Sequence, residues 1–331
     1  MKATRSEKTR RVSLSRAIAK LKRQGKWKPD GGWDDLTFLE NARIIADSGL
    51  FRTKTLPLAI MVICILAERQ PDTVRGILYA IVSAGGLPDT SKKSYIKVQR
   101  ILNEARKRRI VDYRWVVDNI RSTVKPSSWS GLADFAETIQ RAYRRDFWAG
   151  QRDYVCIIVE KDTVAGRIIN VTREYDVALH PLRGFNSTSF NFAIAEQWAE
   201  IKKPIHVYYI GDLDPSGIAI EQDVRAKLIE YSGRSDINWK RLAVVPAQFE
   251  EFDIIPLDVK REDTRHKRFI ETYGDRGAEV EAIPADKLRA MVEDAIKSHI
   301  NAEEWAKLEH QQSLERQTWR QLISTMSGGE Q

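Results

Sequence analysis

The second half of the chain alternates apolar runs with amphipathic segments, and this alternation limits the folds that it can form. The runs Tyr154–Val159 (YVCIIV) and Ile205–Ile210 (IHVYYI) are apolar or aromatic almost throughout, which is typical of strands buried in a parallel sheet. Helical patterns over residues 165–175 and 189–199 lie between the strand candidates. Further candidate strands cover residues 177–182, 241–245 and 279–283. The pattern therefore predicts an α/β fold with a mainly parallel sheet.

The first half of the chain is mainly helical and ends in a short β segment. Apolar periodicity predicts helices over residues 36–48, 56–69, 73–84 and 91–109, then a strand or tight hairpin over residues 110–117. Two helices joined by a short glycine-containing turn and followed by a strand are typical of a winged helix-turn-helix. Further along the chain, residues 132–148 and 286–326 have helical patterns.

The two halves of the chain carry opposite net charge. Of the 331 residues, the first 152 include 31 Lys and Arg against 15 Asp and Glu, whereas the rest include 23 against 31. A uniformly basic protein is thereby excluded, and the halves are expected to have different tasks. Residues 1–28 carry eleven basic side chains and one acidic one, which fits either a DNA-binding arm or a disordered solubilising tail.

The predicted helix over residues 91–109 has a basic face. Residues 92–125 contain eleven basic and three acidic side chains, so few acids balance the charge. A solvated helix face is the alternative, but this imbalance favours a face that contacts phosphates. The residues predicted to contact DNA are Lys93, Lys97, Arg100 and Lys107.

Acidic residues follow two of the predicted strands. Glu160 ends the first strand, and Asp212 and Asp214 follow the second in a Gly-Asp-Leu-Asp-Pro-Ser-Gly segment. Ligands of open parallel sheets bind at the carboxyl ends of the strands, so we expect the three carboxylates to converge. Mg²⁺ would remove their mutual repulsion and would polarise a phosphodiester. The alternatives are a simple turn or helix cap at Asp-Pro-x-Gly, and a pair between Glu160 and Lys161.

A second candidate site lies in the basic half. Arg75 and Tyr79 are four residues apart on the predicted helix over residues 73–84, and therefore share one helix face. A tyrosine beside an arginine can attack a phosphodiester, because the arginine binds the phosphate. From helical spacing alone, a surface tyrosine with a hydrogen-bonded hydroxyl is favoured over this catalytic role.

Cysteine, histidine and apolar content restrict the remaining possibilities. Cys64 and Cys156 form no metal-binding or disulfide motif, and no apolar stretch is long enough for a signal peptide or a membrane span. A cytoplasmic protein without a membrane partner is therefore expected. Five histidines without metal-ligand spacing are each predicted to be structural or exposed. They are His180, His206, His266, His299 and His310.

The ordered set of motifs resembles the A subunit of type IIB DNA topoisomerase (topoisomerase VI) and its relative, the meiotic double-strand-break protein. That family joins a winged-helix, CAP-like domain bearing a DNA-cleaving tyrosine to a Toprim domain, a Rossmann-like fold that binds Mg²⁺. The similarity covers about residues 55–300 and includes four short motifs. Their matching residues here are Thr73, Arg75 and Tyr79; Val159, Glu160 and Lys161; Gly184 and Phe185; and Asp212, Asp214, Pro215 and Gly217.

The resemblance implies a division of the chain and a function. The divisions are a basic arm and linker (1–34), a winged-helix domain (35–125), a linker helix (126–150), a Toprim domain (151–300) and a helical tail (301–331). By the family mechanism, Tyr79 would form a phosphotyrosyl link to DNA, Arg75 would hold the phosphate, and Glu160, Asp212 and Asp214 would hold Mg²⁺. The resemblance also implies a homodimer and a separate ATPase subunit.

Two departures from the family leave the chemistry open. The family often has an aromatic residue before the catalytic tyrosine and a tyrosine after Asp-x-Asp-Pro, where this chain has Leu78 and Ser216. The chain is therefore similar to a divergent, bacterial or phage-type branch. One alternative is a Toprim nuclease that uses metal-activated water, with Tyr79 structural. Another is a non-catalytic winged-helix DNA-binding protein.

Overall fold

The structure, a computed structural model, describes residues 5–24, 27–117, 127–182, 188–259 and 265–327. The α-helices in this part of the chain are α1 (Arg5–Gln24), α2 (Leu36–Asp47), α3 (Leu56–Arg69), α4 (Val74–Ser83), α5 (Lys92–Lys107), α6 (Leu132–Ala142), α7 (Asp162–Glu174), α8 (Thr188–Glu200), α9 (Pro215–Ser232), α10 (Gln248–Glu251), α11 (His266–Tyr273), α12 (Ala285–Lys297) and α13 (Ala302–Ser327). The strands are β1 (Asp72–Thr73), β2 (Val116–Val117), β3 (Tyr154–Val159), β4 (Ala178–Pro181), β5 (Ile205–Ile210), β6 (Ile237–Ala243), β7 (Leu257–Asp258) and β8 (Arg276–Gly277).

Helices α1 to α5 enclose the first hydrophobic core. The central helix α3 is apolar almost all round, and it contacts α1, α2, α4 and α5. The N-terminal basic segment contributes to this core, since Ala17 and Leu21 of α1 are buried in it. Over residues 14–21 the disordered alternative is therefore wrong, because the apolar stripe of this part of the helix packs against the core.

A four-stranded parallel sheet forms the centre of the second half, as the alternation of strands and helices predicts. Its strand order is β4-β3-β5-β6. Alternate residues of β3 enter different cores: Val155 and Ile157 pack with α7 and α12, whereas Cys156 and Ile158 pack with α8 and α9. Both faces of the sheet are covered by helices, which explains why the two central strands, β3 and β5, are apolar or aromatic almost throughout.

Three predicted elements differ in the structure. Residues 279–283 form no strand; Val280–Ala282 is a 3₁₀ turn, because its backbone hydrogen-bonds to the side chains of Asp212 and Arg167 instead of a neighbouring strand. The helix predicted over residues 286–326 is divided into α12 and α13. The Asn301 side chain accepts hydrogen bonds from the first turn of α13 and thereby caps the start of this second helix.

The third difference concerns helix α6, which ends at Ala142 rather than continuing to residue 148. The chain after it runs along α13, where the Tyr143 hydroxyl donates to Glu315 at 2.5 Å and the Arg145 amide donates to Gln312 at 2.8 Å. These contacts replace the hydrogen bonds of a further helical turn.

The segment predicted as a strand or hairpin over residues 110–117 contains a 3₁₀ turn, Tyr113–Trp115, and the two-residue strand β2. Strand β2 pairs in parallel with β1. Residues 118–126, where a wing would continue, lie outside the described residues.

A buried ion pair joins the helical part to the sheet part. Arg167 of α7 lies with its Nε 2.9 Å from Oδ1 of Asp72, and both side chains are completely buried. The Arg167 guanidinium also donates to the carbonyls of Val280 and Ile283. Nearby, Arg289 of α12 donates to two backbone carbonyls at the end of α3 and just after it. The two parts of the fold are therefore held by charged hydrogen bonds at one seam.

Helix α4 begins directly at this seam. Thr73 caps it by accepting a hydrogen bond from the Gly76 amide at 2.8 Å. Gly76 has a packing role, because a Cβ at that position would lie 2.3 Å from Oδ1 of Asp72.

Among the described residues, no helix is long and apolar enough to cross a membrane.

Replacing Arg167 with methionine is expected to destabilise the protein strongly, because the Asp72 carboxylate would remain buried without its counter-charge. We expect the free energy of unfolding to fall by about 3–5 kcal/mol, measured by urea denaturation. Arg43→Ala is the control, since the Arg43–Asp47 pair is exposed and such pairs contribute about 1 kcal/mol or less. Equal losses in the two variants would contradict the role given to the buried pair.

Candidate functional site

The three carboxylates predicted to converge lie at the carboxyl edge of the sheet. Strands β3 and β5 pair in register up to Val159 and Ile210, so Glu160 and Gly211 leave the sheet side by side. The Asp212 amide then donates to Oε2 of Glu160 at 3.0 Å. Glu160 and Asp212 are both buried. The parallel pairing of these two strands therefore brings the three residues to one edge of the sheet, but as the described residues stand they do not form a group whose ligand atoms all lie within 4.8 Å of one another.

Two glycines make room for the Glu160 carboxylate. A Cβ on Gly211 would lie 2.8 Å from Oε2 of Glu160, and a Cβ on Gly217 would lie 3.1 Å from the same oxygen and 2.3 Å from the Asp212 carbonyl oxygen. Gly217 also donates its amide to Oδ1 of Asp214 at 2.7 Å, which caps helix α9. The Asp-Pro-x-Gly segment is thus a helix cap, as one alternative predicts, and at the same time it holds Asp214 beside Glu160.

Lys161 supplies the positive charge nearest to Asp212. Its Nζ lies 2.7 Å from Oδ2 of Asp212 and 3.4 Å from Oε2 of Glu281. The other carboxylate oxygen of Asp212 accepts from the Val280 amide at 3.0 Å. Lys161 therefore pairs with Asp212, which follows β5, and not with Glu160 as one alternative predicted.

Two further acids belong to this edge and were missed from the sequence. Glu281 is buried, and it accepts from the Thr163 hydroxyl at 3.1 Å in addition to its contact with Lys161. Glu279 lies two residues earlier, immediately before the 3₁₀ turn. The sequence contains a signal for these two acids, because Glu279 and Glu281, before Pro284, have the same acid-x-acid spacing as Asp212 and Asp214. The signal was not used, because residues 279–283 were predicted to be a strand of the sheet.

The electrostatics of this edge favour an added cation. The pKa of Asp212 is raised to about 7, mainly by burial and also by the charges of Glu160 and Glu281, while Lys161 opposes the shift. Burial and the charge of Asp214 likewise raise the pKa of Glu160. For Glu281, burial also acts to raise the pKa, but Lys161 and Arg167 outweigh it and the pKa is lowered. Glu160 and Asp212 thus remain undercompensated, because one lysine serves several acids.

The second candidate site, which contains Arg75 and Tyr79, lies next to the acidic carboxyl edge of the sheet in the same chain. Nε of Arg75 lies 3.0 Å from Oε2 of Glu279, and its guanidinium lies 5.9 Å from the ring centroid of Tyr95. Tyr79 is only 3% exposed and shares a hydrogen bond with the Glu279 carboxylate. Burial, and then the charge of Glu279, raise the pKa of the Tyr79 phenol well above its usual range. In this conformation the phenol is protonated and covered.

The four predicted DNA-contacting residues, Lys93, Lys97, Arg100 and Lys107, are all exposed on α5. Lys107 pairs with Glu104 at 3.0 Å. Within the described part of the chain, the other three make no ion pair, and they line a groove of about 920 Å³. The groove has an apolar floor that includes Phe51, Leu58 and Ile96.

The remaining motif of the resemblance, Gly184 and Phe185, lies outside the described residues. Comparison with known protein families finds no family whose model matches this chain. A search of curated proteins likewise finds no match.

Asp212 is expected to make the stability of the protein depend on pH. Its pKa is about 7 in the folded chain and about 3.9 in an unfolded one. The folded state therefore binds this proton more tightly, and the resulting stabilisation is lost as the pH rises from about 4 through about 7. We expect the unfolding free energy of Asp212→Asn to fall less between pH 5 and pH 8 than that of the wild type.

Urea denaturation in buffer containing EDTA measures this difference. Asp47→Asn, at an exposed position of α2, is the control and should follow the wild-type pH profile. The same profile for Asp212→Asn and the wild type would show that Asp212 is not perturbed in this way.

Proposed function

We propose that this protein binds DNA and cleaves it with the help of Mg²⁺, and that it combines a winged-helix domain with a Toprim domain. The observation that carries the proposal is that Glu160, Asp212 and Asp214 lie at the carboxyl edge of the parallel sheet, where the Asp212 amide donates to Glu160 and the charge of Asp214 raises the pKa of Glu160. The three residues come from the ends of two adjacent strands, in the position where open α/β sheets bind their ligands.

The donor set fits Mg²⁺. Glu160, Asp212 and Asp214 present carboxylate oxygens only, which are the ligands that Mg²⁺ prefers. Burial, and after it the charges of neighbouring acids, raise the pKa values of Glu160 and Asp212. Bound by these residues, Mg²⁺ would supply electrostatic stabilisation of a phosphodiester and of its leaving oxygen. Lys161 would balance charge on Asp212 and Glu281, and Gly211 and Gly217 keep the space around Glu160 open.

Basic residues outside this edge would bind the rest of the DNA. Lys93, Lys97 and Arg100 are exposed on α5, so they are available to phosphates. Arg75 has a side chain that is 41% exposed and lies between Tyr95 and Glu279. It is therefore the cation best placed to hold a phosphate next to the acidic edge.

The geometry favours water over Tyr79 as the attacking group. An attacking phenol must be exposed and must lose its proton, whereas Tyr79 is covered, hydrogen-bonded to Glu279 and has a raised pKa. The tyrosine route is the second candidate, because Tyr79 and Arg75 both contact Glu279, two residues from Glu281 of the acidic edge. That route would require the phenol to leave Glu279. Strand passage, with a homodimer and an ATPase subunit, belongs to this second candidate.

Cleavage of supercoiled plasmid with Mg²⁺ tests the proposal. We expect Asp212→Asn to lose at least 100-fold in cleavage rate, because Asp212 would hold the metal that stabilises the transition state. Asp223→Asn, which changes an acid in an ion pair on α9, is the matched control and should cleave as the wild type does. Cleavage at an equal rate by Asp212→Asn would overturn the proposal.

Tyr79→Phe separates the two routes in the same assay. By the water route this variant cuts at the wild-type rate, and denaturing conditions release DNA ends free of protein. By the tyrosine route the variant is inactive, and the wild type remains attached to DNA ends. If no metal supports cleavage by the wild type, the protein is the non-catalytic DNA-binding alternative.

Removing the basic residues of α5 is expected to weaken DNA binding through its electrostatic part. For the combined Lys93→Ala, Lys97→Ala and Arg100→Ala variant, we expect the slope of log affinity against log salt concentration to fall by roughly 2–3, about 0.9 for each phosphate contact. Fluorescence anisotropy with a short duplex measures this slope. Lys307→Ala on α13 is the control, and an unchanged slope in the combined variant would assign DNA binding to another surface.

A further inference from the structure

A second cluster of ligating side chains lies at the amino edge of the same sheet. Asp153 immediately precedes β3, His206 is the second residue of β5, and His299 lies in the turn between α12 and α13. The length of β3 separates this edge from Glu160 by about 20 Å. The cluster is therefore distinct from the carboxylate site, and the inference drawn from it does not rest on the proposed function.

The three side chains present their ligand atoms to one another. Oδ2 of Asp153 lies 2.8 Å from Nδ1 of His299 and 3.6 Å from Nε2 of His206. All three ligand atoms lie within 4.8 Å of one another. A tetrahedral ion with bonds of about 2.0–2.1 Å would hold its ligands about 3.3 Å apart. The observed distances lie on both sides of this value, so small side-chain rotations would admit an ion.

Neighbouring groups orient the two imidazoles. The Tyr208 hydroxyl lies 2.8 Å from Nε2 of His299, which leaves Nδ1 to face Asp153. Such a hydrogen bond on the far nitrogen is the usual support of a metal-bound histidine. The Asn238 amide nitrogen lies 3.4 Å from Nε2 of His206, the same nitrogen that faces Asp153, so an ion bound there would replace this long contact.

The electrostatics of the cluster favour a bound metal ion over protonation of the imidazoles. Burial and the neighbouring His299, with a smaller contribution from Arg152, lower the pKa of His206, while Asp153 opposes the shift. The two rings are only 4.2 Å apart between centroids, which disfavours two imidazolium ions side by side. The close approach of the two rings therefore favours neutral imidazoles, which is the form that binds metal.

We propose that Asp153, His206 and His299 bind a divalent transition-metal ion of the zinc class, with the fourth position left to water. Two imidazole nitrogens and one carboxylate oxygen are a common zinc ligand set, whereas Mg²⁺ prefers oxygen ligands alone. The ion would join β3, β5 and the turn that starts α13. This turn is already held there by the Asn301 amide, which donates to Gln151 at 2.7 Å.

Calorimetric titration of the full chain, freed of metal with EDTA, with Zn²⁺ tests this assignment. We expect one ion per chain at this site and at least tenfold weaker binding in His206→Gln and His299→Gln. His310→Gln, an exposed histidine on α13, is the matched control and should bind as the wild type does. Should His299→Gln fail to fold by circular dichroism, His206→Gln carries the test, because His206 is the more exposed of the two.

Two further variants distinguish Zn²⁺ binding at this edge from Zn²⁺ binding by the carboxylates at the opposite edge. Asp212→Asn should retain the ion, since its change lies at that opposite edge of the sheet. Tyr208→Phe should weaken binding by about 10–100-fold, the usual effect of losing such a supporting hydrogen bond. Equal affinity in His206→Gln and the wild type, no Zn²⁺ binding by the wild type, or loss of the ion in Asp212→Asn would each overturn the proposal.

Discussion

The contact between Arg167 and Asp72 is the constraint on which the arrangement of the candidate site depends. Both side chains are completely buried, so their charges must compensate each other. Helix α7, which carries Arg167, begins one residue after Lys161, and helix α4 begins two residues after Asp72. The contact therefore fixes the start of one helix against the start of the other. Arg75 reaches Glu279 because the two helices meet in this way.

Charge is distributed unevenly over the carboxyl edge of the sheet. Five acids, Glu160, Asp212, Asp214, Glu279 and Glu281, gather there, and most of the nearby cations already have partners. Arg167 pairs with Asp72, and Arg75 pairs with Glu279. Arg241 donates to the carbonyls of Gly211 and Asp212, and it also pairs with Glu221. Lys161 alone remains for Asp212 and Glu281, among the described residues. Acids with perturbed pKa values of this kind cluster at functional sites, which makes this edge the candidate site.

The sequence predicted those parts of the fold and site that depend on local pattern. Strands β3 and β5 and helices α3 and α4 follow from the apolar pattern, and the approach of Asp212 to Glu160 follows from the rule for parallel sheets. The roles of Glu279 and Glu281 did not follow, because they depend on where a 3₁₀ segment crosses the sheet edge. His206 and His299, 93 positions apart, carry no spacing signal. His206 comes close to Asp153 through the pairing of β5 with β3, and His299 does so through the break that follows α12.

Strands β3 and β5 carry side chains of both ionic clusters, one at each end of the pair. These strands are separated in sequence by the whole of α7, β4 and α8, so their pairing closes a loop of about fifty residues and costs conformational entropy. Neither cluster can assemble before that closure. An ion bound at either edge would therefore favour the same closed loop, and the two edges would share one folding equilibrium although no side chain connects them.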